Sequence, residues 1–184
     1  MKKTGEKFLC RGSWLSLKQL SYLTEAGTDL DWEVIVRSRR ETVVVVLARL
    51  VPSGRWILIR QFRPGIGEAV LALPAGCVEP GVEIGEHAER ELREETGYRG
   101  RLVSLSPRLK INPAVLDCDF YVAVMEVEEE AEDNRDPRQE LEPEEEIEVI
   151  LVEDGRIGEL FAREAARGTA ISAGCWLAFG FTAD

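Results

Sequence analysis

Histidine occurs once in this chain of 184 residues, at His87, and cysteine only four times, at Cys10, Cys77, Cys118 and Cys175. The cysteines stand 67, 41 and 57 residues apart, so no close pair exists to grip zinc or run thiol redox chemistry. Buried, reduced thiols are expected. Long hydrophobic runs are missing as well. The longest, VVVVLA at 43–48, is far too short to cross a bilayer, and no charged-then-apolar leader is seen. The expectation is a soluble, cytoplasmic protein with no membrane partner. A basic stripe is also lacking, so nucleic acid is not an expected partner. The length suits one domain, or one domain with a short extra lobe, and suffices to bury a core.

Acid is abundant but local. The formal net charge is -11, and the segment from Glu126 to Glu148 alone holds 13 acidic and 2 basic residues out of totals of 34 and 23, leaving 21 of each sign elsewhere. The rest of the chain is therefore balanced. The composition of EVEEEAEDNRDPRQELEPEEEIE predicts a solvated, partly mobile loop, in which one or two carboxylates do more.

Hydrophobic patterning reads as α/β. DWEVIVRS (31–38) alternates in the manner of a strand, and TVVVVLARL (42–50) and RWILIRQF (55–62) are β-branched runs joined at Pro52 to Gly54. AVLALPAG (69–76) precedes a helix. Strands follow in YRGRLVSLS (98–106) and DCDFYVAVMEV (117–127), then the acidic loop and a last strand IEVILV (147–152). Amphipathic segments at roughly 156–167 and 170–180 close the chain. The expected organisation is an N-terminal β lobe, residues 1–38, ahead of a domain at 39–184 built on one mixed sheet flanked by helices.

The stretch GCVEPGVEIGEHAERELREETGY (76–98) carries the most chemistry. Ile84, Ala88 and Leu92 recur at i, i+4 and i+8, one narrow apolar stripe, which predicts a helix from Ile84 to Thr96. Gly97 stands where a left-handed cap is wanted, and Gly76, Pro80 and Gly81 mark the loop that leads in. On such a helix Glu91, Glu94 and Glu95 converge on one patch, while Glu86/Arg90 and Glu89/Arg93 form ordinary i, i+4 pairs. Carboxylates so close repel one another, and in a partly buried site one of them takes up a proton. A divalent cation removes the conflict. Oxygen-only donors suit a hard ion such as Mg²⁺, with Mn²⁺ as a substitute. A salt-bridged surface helix is the plain alternative. His87, set among glutamates, is expected on the solvated outer face and not as a base.

This stretch resembles the Nudix box, whose pattern is Gly, five residues, Glu, seven residues, Arg-Glu-apolar-any-Glu-Glu-any-Gly-apolar. Gly76, Arg90, Glu91, Leu92, Glu94, Glu95 and Gly97 match in register, with Tyr98 at the final apolar place. Val82 stands where the first glutamate is expected, and Glu83 follows one step late. RQFRP (60–64), LPAG (73–76), EEEIEVILV (144–152) and DWEVIVR (31–37) are similar to the ADP-ribose pyrophosphatase branch of the same family, a likeness that spans roughly residues 11–180. It implies a Nudix α/β/α sandwich with an N-terminal β lobe for dimerisation and nucleotide binding. A homodimer whose active sites borrow residues from both subunits is the usual form.

The implied reaction is Mg²⁺-dependent hydrolysis of the pyrophosphate in a nucleoside diphosphate sugar, with ADP-ribose going to AMP and ribose 5-phosphate. By resemblance Glu91 and Glu95 are the main metal ligands, assisted by Glu94 and the backbone of Ala75. The general base is expected in the acidic loop at Glu145, with Glu144 and Glu146 as register alternatives. Arg90 and Glu94 belong to the catalytic set. Arg63 is expected to hold a phosphate or the ribose side, Trp14 and Trp32 to sandwich adenine, and Arg37 to assist. Against these roles stand simpler ones: packed core tryptophans and an exposed strand-end arginine. In similar proteins the glutamate absent at Val82 braces the box arginine; Glu83, Glu86 and Glu94 could replace it. Two other functions stay open, another nucleotide sugar or an oxidised nucleotide as substrate, and a catalytically silent nucleotide sensor.

Overall fold

The computed structural model describes residues 1–37 and 42–180. Ser38, the last residue of the expected 31–38 strand, and the expected lobe boundary at 38/39 lie outside the described residues. In chain order the elements are β1 (Lys2–Arg11), β2 (Leu15–Leu23), β3 (Asp29–Arg37), β4 (Thr42–Val51), β5 (Trp56–Arg63), β6 (Glu68–Ala72), β7 (Ala75–Cys77), α1 (Ile84–Thr96), β8 (Arg101–Leu105), β9 (Leu116–Asp117), β10 (Asp119–Glu128), β11 (Ile147–Val152), α2 (Ile157–Ala166), β12 (Ala170–Ile171) and α3 (Ala173–Phe179). Two compact units form. One gathers Met1–Val43, Cys77–Val82 and Ser106–Tyr121, and the other holds the remainder.

In the first unit β1, β2 and β3 form an antiparallel meander, and β9 adds to β3 in parallel. The meander is thinly packed. Every residue of β1 is exposed, whereas Val34 and Val36 of β3 and Ser16 of β2 are buried. Register shifts at Lys3/Gly5 and Phe8/Cys10 mark irregularities that bend β1. Cys10 is exposed, against the expectation of burial, because it lies on this uncovered strand; Cys118 and Cys175 are buried, Cys77 is half-buried, and all four are free thiols.

In the second unit β5 is the hub, pairing antiparallel with β6 and along its other edge with β11. Both faces of β5 are covered, with Ile57, Leu58 and Ile59 fully buried, which is why WILI is apolar without alternation. Successive side chains point to opposite faces. Leu58 packs with Leu71, Ile150, Val152, Leu160, Phe161 and Phe179 beneath α2 and α3, while Ile59 packs with Val70, Ala72 and Ile147. Full burial of each such leucine or isoleucine stabilises by about 1.5–3 kcal/mol. The helix α1 lies beside β8 and β11, completing the mixed α/β sandwich. One ion pair is sealed inside: Arg60 donates from Nε and Nη2 to the two oxygens of Glu164, both at 2.8 Å, and Glu164 has no exposed surface. Among the described residues no helix is long and apolar enough to cross a membrane.

Candidate active site

The helix α1 begins and ends where its sequence demands. Ala88 and Leu92 are fully buried, and Gly97 closes it at φ 79°, its N–H donating to the Arg93 carbonyl at 2.7 Å. A side chain at Gly97 would bring Cβ to 2.3 Å from the backbone nitrogen of Arg138. Glycine is therefore required twice, for its left-handed backbone and for the segment passing over it.

One turn earlier the helix presents Glu91 and Glu95 to the strand β7. Glu95, 2% exposed, accepts the backbone N–H of Ala75 at 2.9 Å. Glu91 faces Gly76 so closely that a Cβ there would lie 1.9 Å from Oε1 of Glu91. Burial, with repulsion from Glu94 next, pushes the Glu91 carboxyl up to about 7 against the pull of Arg90. Burial likewise pushes Glu95 up to about 8, opposed first by the Ala75 N–H, with Glu91 and Glu145 adding repulsion. Two carboxyls are thus held in a recess where neither ionises readily.

His87 corrects the sequence reading. It is 1% exposed, not solvated, because it lies on the Glu91 side of the helix. Its Nδ1 is 2.5 Å from a guanidinium nitrogen of Arg90, and its Nε2 is 2.9 Å from Oε1 of Glu91. Glu94 is partly exposed beside Arg93, 3.6 Å away, and Arg93 also reaches Glu140 at 3.6 Å.

The acidic segment is only partly the free loop its composition suggests. Asn134, 5% exposed, accepts the Arg99 N–H at 2.7 Å and donates to the carbonyls of Arg99 and Glu128, both at 2.9 Å. Gln139 donates to the Glu95 carbonyl at 2.6 Å and to that of Ile147 at 3.1 Å. The Glu140 N–H donates to the Glu94 carbonyl at 2.8 Å. The bonds to Glu94 and Glu95 fill carbonyls that the end of α1 leaves open. Glu129 is also bound, accepting from the backbone and hydroxyl of Ser53 at 2.7 and 2.8 Å and from Arg55 at 3.0 Å. Beyond the anchors, Glu145 folds back on a turn in which its carboxylate accepts the Glu142 N–H at 3.1 Å. Its charge acts on both Glu91 and Glu95. Glu144 and Glu146 are exposed, whereas Glu145 is half-buried.

The other expected residues are placed as follows. Arg63 ends β5, exposed, and its charge acts on Glu95. In the first unit Trp14 is 78% and Trp32 47% exposed, so neither is a core residue. The Trp32 indole N–H donates to the Ala114 carbonyl at 2.6 Å. With Leu20, Tyr22, Leu30 and Leu116 it lines a cavity of about 560 Å³. Arg37 is half-buried and donates to the Cys77 sulfur at 3.3 Å.

Among the described residues no three His, Cys, Asp or Glu side chains cluster tightly enough to hold a metal alone. Glu91 and Glu95 nonetheless fit a hard divalent cation. They offer oxygen only, and a cation beside them would offset the burial and like-charge repulsion that push both carboxyls up. Backbone, water and substrate oxygens would complete the shell, as Mg²⁺ commonly arranges.

The NUDIX domain family matches residues 39–168. The chain is 31% identical over 131 residues to the ADP-sugar pyrophosphatase of Mus musculus, covering 67% of this chain and 60% of that protein. It is 30% identical over 148 residues to the ADP-ribose pyrophosphatase of Saccharomyces cerevisiae, covering 76% and 64%. To the ADP-ribose pyrophosphatase of Bacillus subtilis it is 31% identical over 157 residues, covering 83% and 80%. A crystal structure of an ADP compounds hydrolase shares the fold at a TM-score of 0.64 and 18% identity, over 91% of this chain and 96% of that one.

Proposed function

The chain belongs to the Nudix family, and from that premise we propose that it hydrolyses the pyrophosphate of ADP-ribose to AMP and ribose 5-phosphate in a Mg²⁺-dependent reaction. The observation that carries this reading is the buried pair Glu91 and Glu95, set against Ala75 and Gly76 and within the field of Glu145. ADP-ribose is favoured as substrate because relatives named for it match most of this chain at 30% and 31% identity.

Each residue then has a task. Glu91 and Glu95, with Glu94 and the Ala75 carbonyl, hold the metal. When bound, the ion neutralises pyrophosphate charge and lowers the pKa of water. Glu145 takes the proton of the attacking water, and the short turn that carries it lets the base close over a filled site. Arg90 anchors the helix face beneath the carboxylates. Arg63 binds a phosphate, as an arginine fork does well. Base recognition falls to Trp14 and Trp32, with Arg37 assisting, and the working form is a cytoplasmic homodimer.

The test is a phosphatase-coupled phosphate-release screen across nucleotide sugars with Mg²⁺. Both products are phosphomonoesters and release phosphate, whereas the substrate does not. Release from ADP-ribose in excess over UDP- and GDP-sugars is expected. Release from none of them would overturn the reading.

A further inference from the structure

The helix face that carries Glu91 also carries the one histidine of the chain. His87 is three residues before Arg90 and four before Glu91, so both fall on its side of the helix. Nη2 of Arg90 lies 2.5 Å from Nδ1 of His87. A guanidinium only donates. Nδ1 is then the accepting nitrogen, which leaves Nε2 to carry the N–H, 2.9 Å from Oε1 of Glu91. That contact is close without being lined up as a hydrogen bond. A small turn of the Glu91 side chain would align it.

The same oxygen also lies against Gly76, where a Cβ would stand 1.9 Å away. Oε1 of Glu91 thus meets both an imidazole and the backbone of β7. The contact is buried, since His87 is 1% exposed, and the low local dielectric of such surroundings strengthens a hydrogen bond.

We propose that His87 is a positioning residue for Glu91: Arg90 fixes its tautomer, and the Nε2–H so presented holds the Glu91 carboxylate turned toward Gly76, ready for a divalent cation. Donors of this kind behind a metal-binding carboxylate set its orientation, and their loss typically weakens metal binding or activity ten- to a hundredfold. The catalytic consequence rests on the pyrophosphohydrolase reading. The tautomer and the metal affinity do not.

Because His87 is the only histidine, ¹⁵N NMR of the labelled ring is unambiguous in the intact chain. Metal-free wild type at neutral pH should show the neutral Nε2–H tautomer. A protonated ring or the Nδ1–H tautomer would overturn the proposal. In parallel, Mn²⁺ affinity is measured without substrate. His87→Leu should bind Mn²⁺ about tenfold or more weakly, while His87→Gln, whose amide can accept from Arg90 and donate to Glu91, should recover most of the loss. If His87→Leu stays folded and binds Mn²⁺ as wild type does, the proposal is wrong; if it fails to fold, the wild-type spectrum and the His87→Gln affinity decide. With ADP-ribose, kcat should fall with KM nearly unchanged. Absence of any turnover in wild type would sink the substrate assignment and leave the NMR and Mn²⁺ results standing.

Discussion

Gly76 and Glu91 share a space that has no room for a methyl group, with Oε1 of Glu91 lying 1.9 Å from where a Cβ on Gly76 would be. The obstruction is the whole carboxyl group, with Cδ at 2.0 Å and Oε2 at 2.5 Å as well, so Gly76→Ala has to be absorbed by rotation of the Glu91 side chain about its inner torsions, away from Gly76. Rotation, however, removes a metal ligand from its place. The expected outcome is a protein that melts near the wild-type temperature and loses at least about tenfold in rate, roughly 1.4 kcal/mol. Wild-type turnover by Gly76→Ala would show that Glu91 need not stand where it does.

The raised carboxyls give a pH dependence of definite sign. Glu91 and Glu95 sit near 7 and 8 in the fold instead of at 4.5. Such groups favour the fold fully below their ordinary pKa, and that contribution is lost as pH rises through 7 and 8. Metal-free protein should therefore melt several degrees lower at about pH 8.5 than at about pH 5.5. Glu95→Gln should flatten that slope, and Mg²⁺ should raise the melting temperature at the higher pH. In turnover, Glu91→Gln and Glu95→Gln should each lose at least about a hundredfold, roughly 2.7 kcal/mol. A metal-free wild type whose stability climbs between these pH values no less steeply than that of Glu95→Gln would contradict the raised pKa of Glu95.

How far the helix was legible is instructive. Its span, Ile84–Thr96, follows from the Ile84, Ala88, Leu92 stripe and from Gly97, because both signals are local. The strand β11, Ile147–Val152, was likewise legible in an apolar run bounded by glutamates. The exposed strand Lys2–Arg11 carries no periodicity, since neither of its faces is buried. His87 misled for a related reason. Its sequence neighbours are glutamates, and its burial comes from packing across the fold, which no local pattern encodes. The anchors Asn134 and Gln139 are amides in an acidic run, where composition alone predicts solvation. The chain itself marks them only as the uncharged polar residues of that run.

Among the loop carboxylates, Glu145→Ala should lower kcat by more than about tenfold, whereas Glu144→Ala and Glu146→Ala, both exposed, should change it little. Glu129→Ala should do the opposite: unchanged turnover per folded molecule, but a lower denaturation midpoint as the Ser53 and Arg55 bonds are broken. Denaturant melts beside steady-state kinetics separate the two effects. Equal turnover in all four variants would remove the base from this loop.

Trp32 is half exposed and tethered by its indole N–H to Ala114, so Trp32→Ala should leave the fold intact. If adenine stacks on it, KM for ADP-ribose should rise about tenfold or more, in keeping with roughly 1–3 kcal/mol per stacked base, and kcat should move less. An unchanged KM would place base recognition elsewhere.

The backbone tie from Glu140 to Glu94 and the entry of Ile147 into β11 opposite Gln61 make residues 141–146 an arch fastened at both feet. An arch of set length has a set reach. One residue inserted between Glu140 and Glu145 would carry the carboxylate along by about 3.5 Å, the advance of a single extended residue, which exceeds the latitude that proton transfer allows. Spacing along the chain is therefore as much a determinant of this site as the identity of the glutamate itself, and the two anchors measure it.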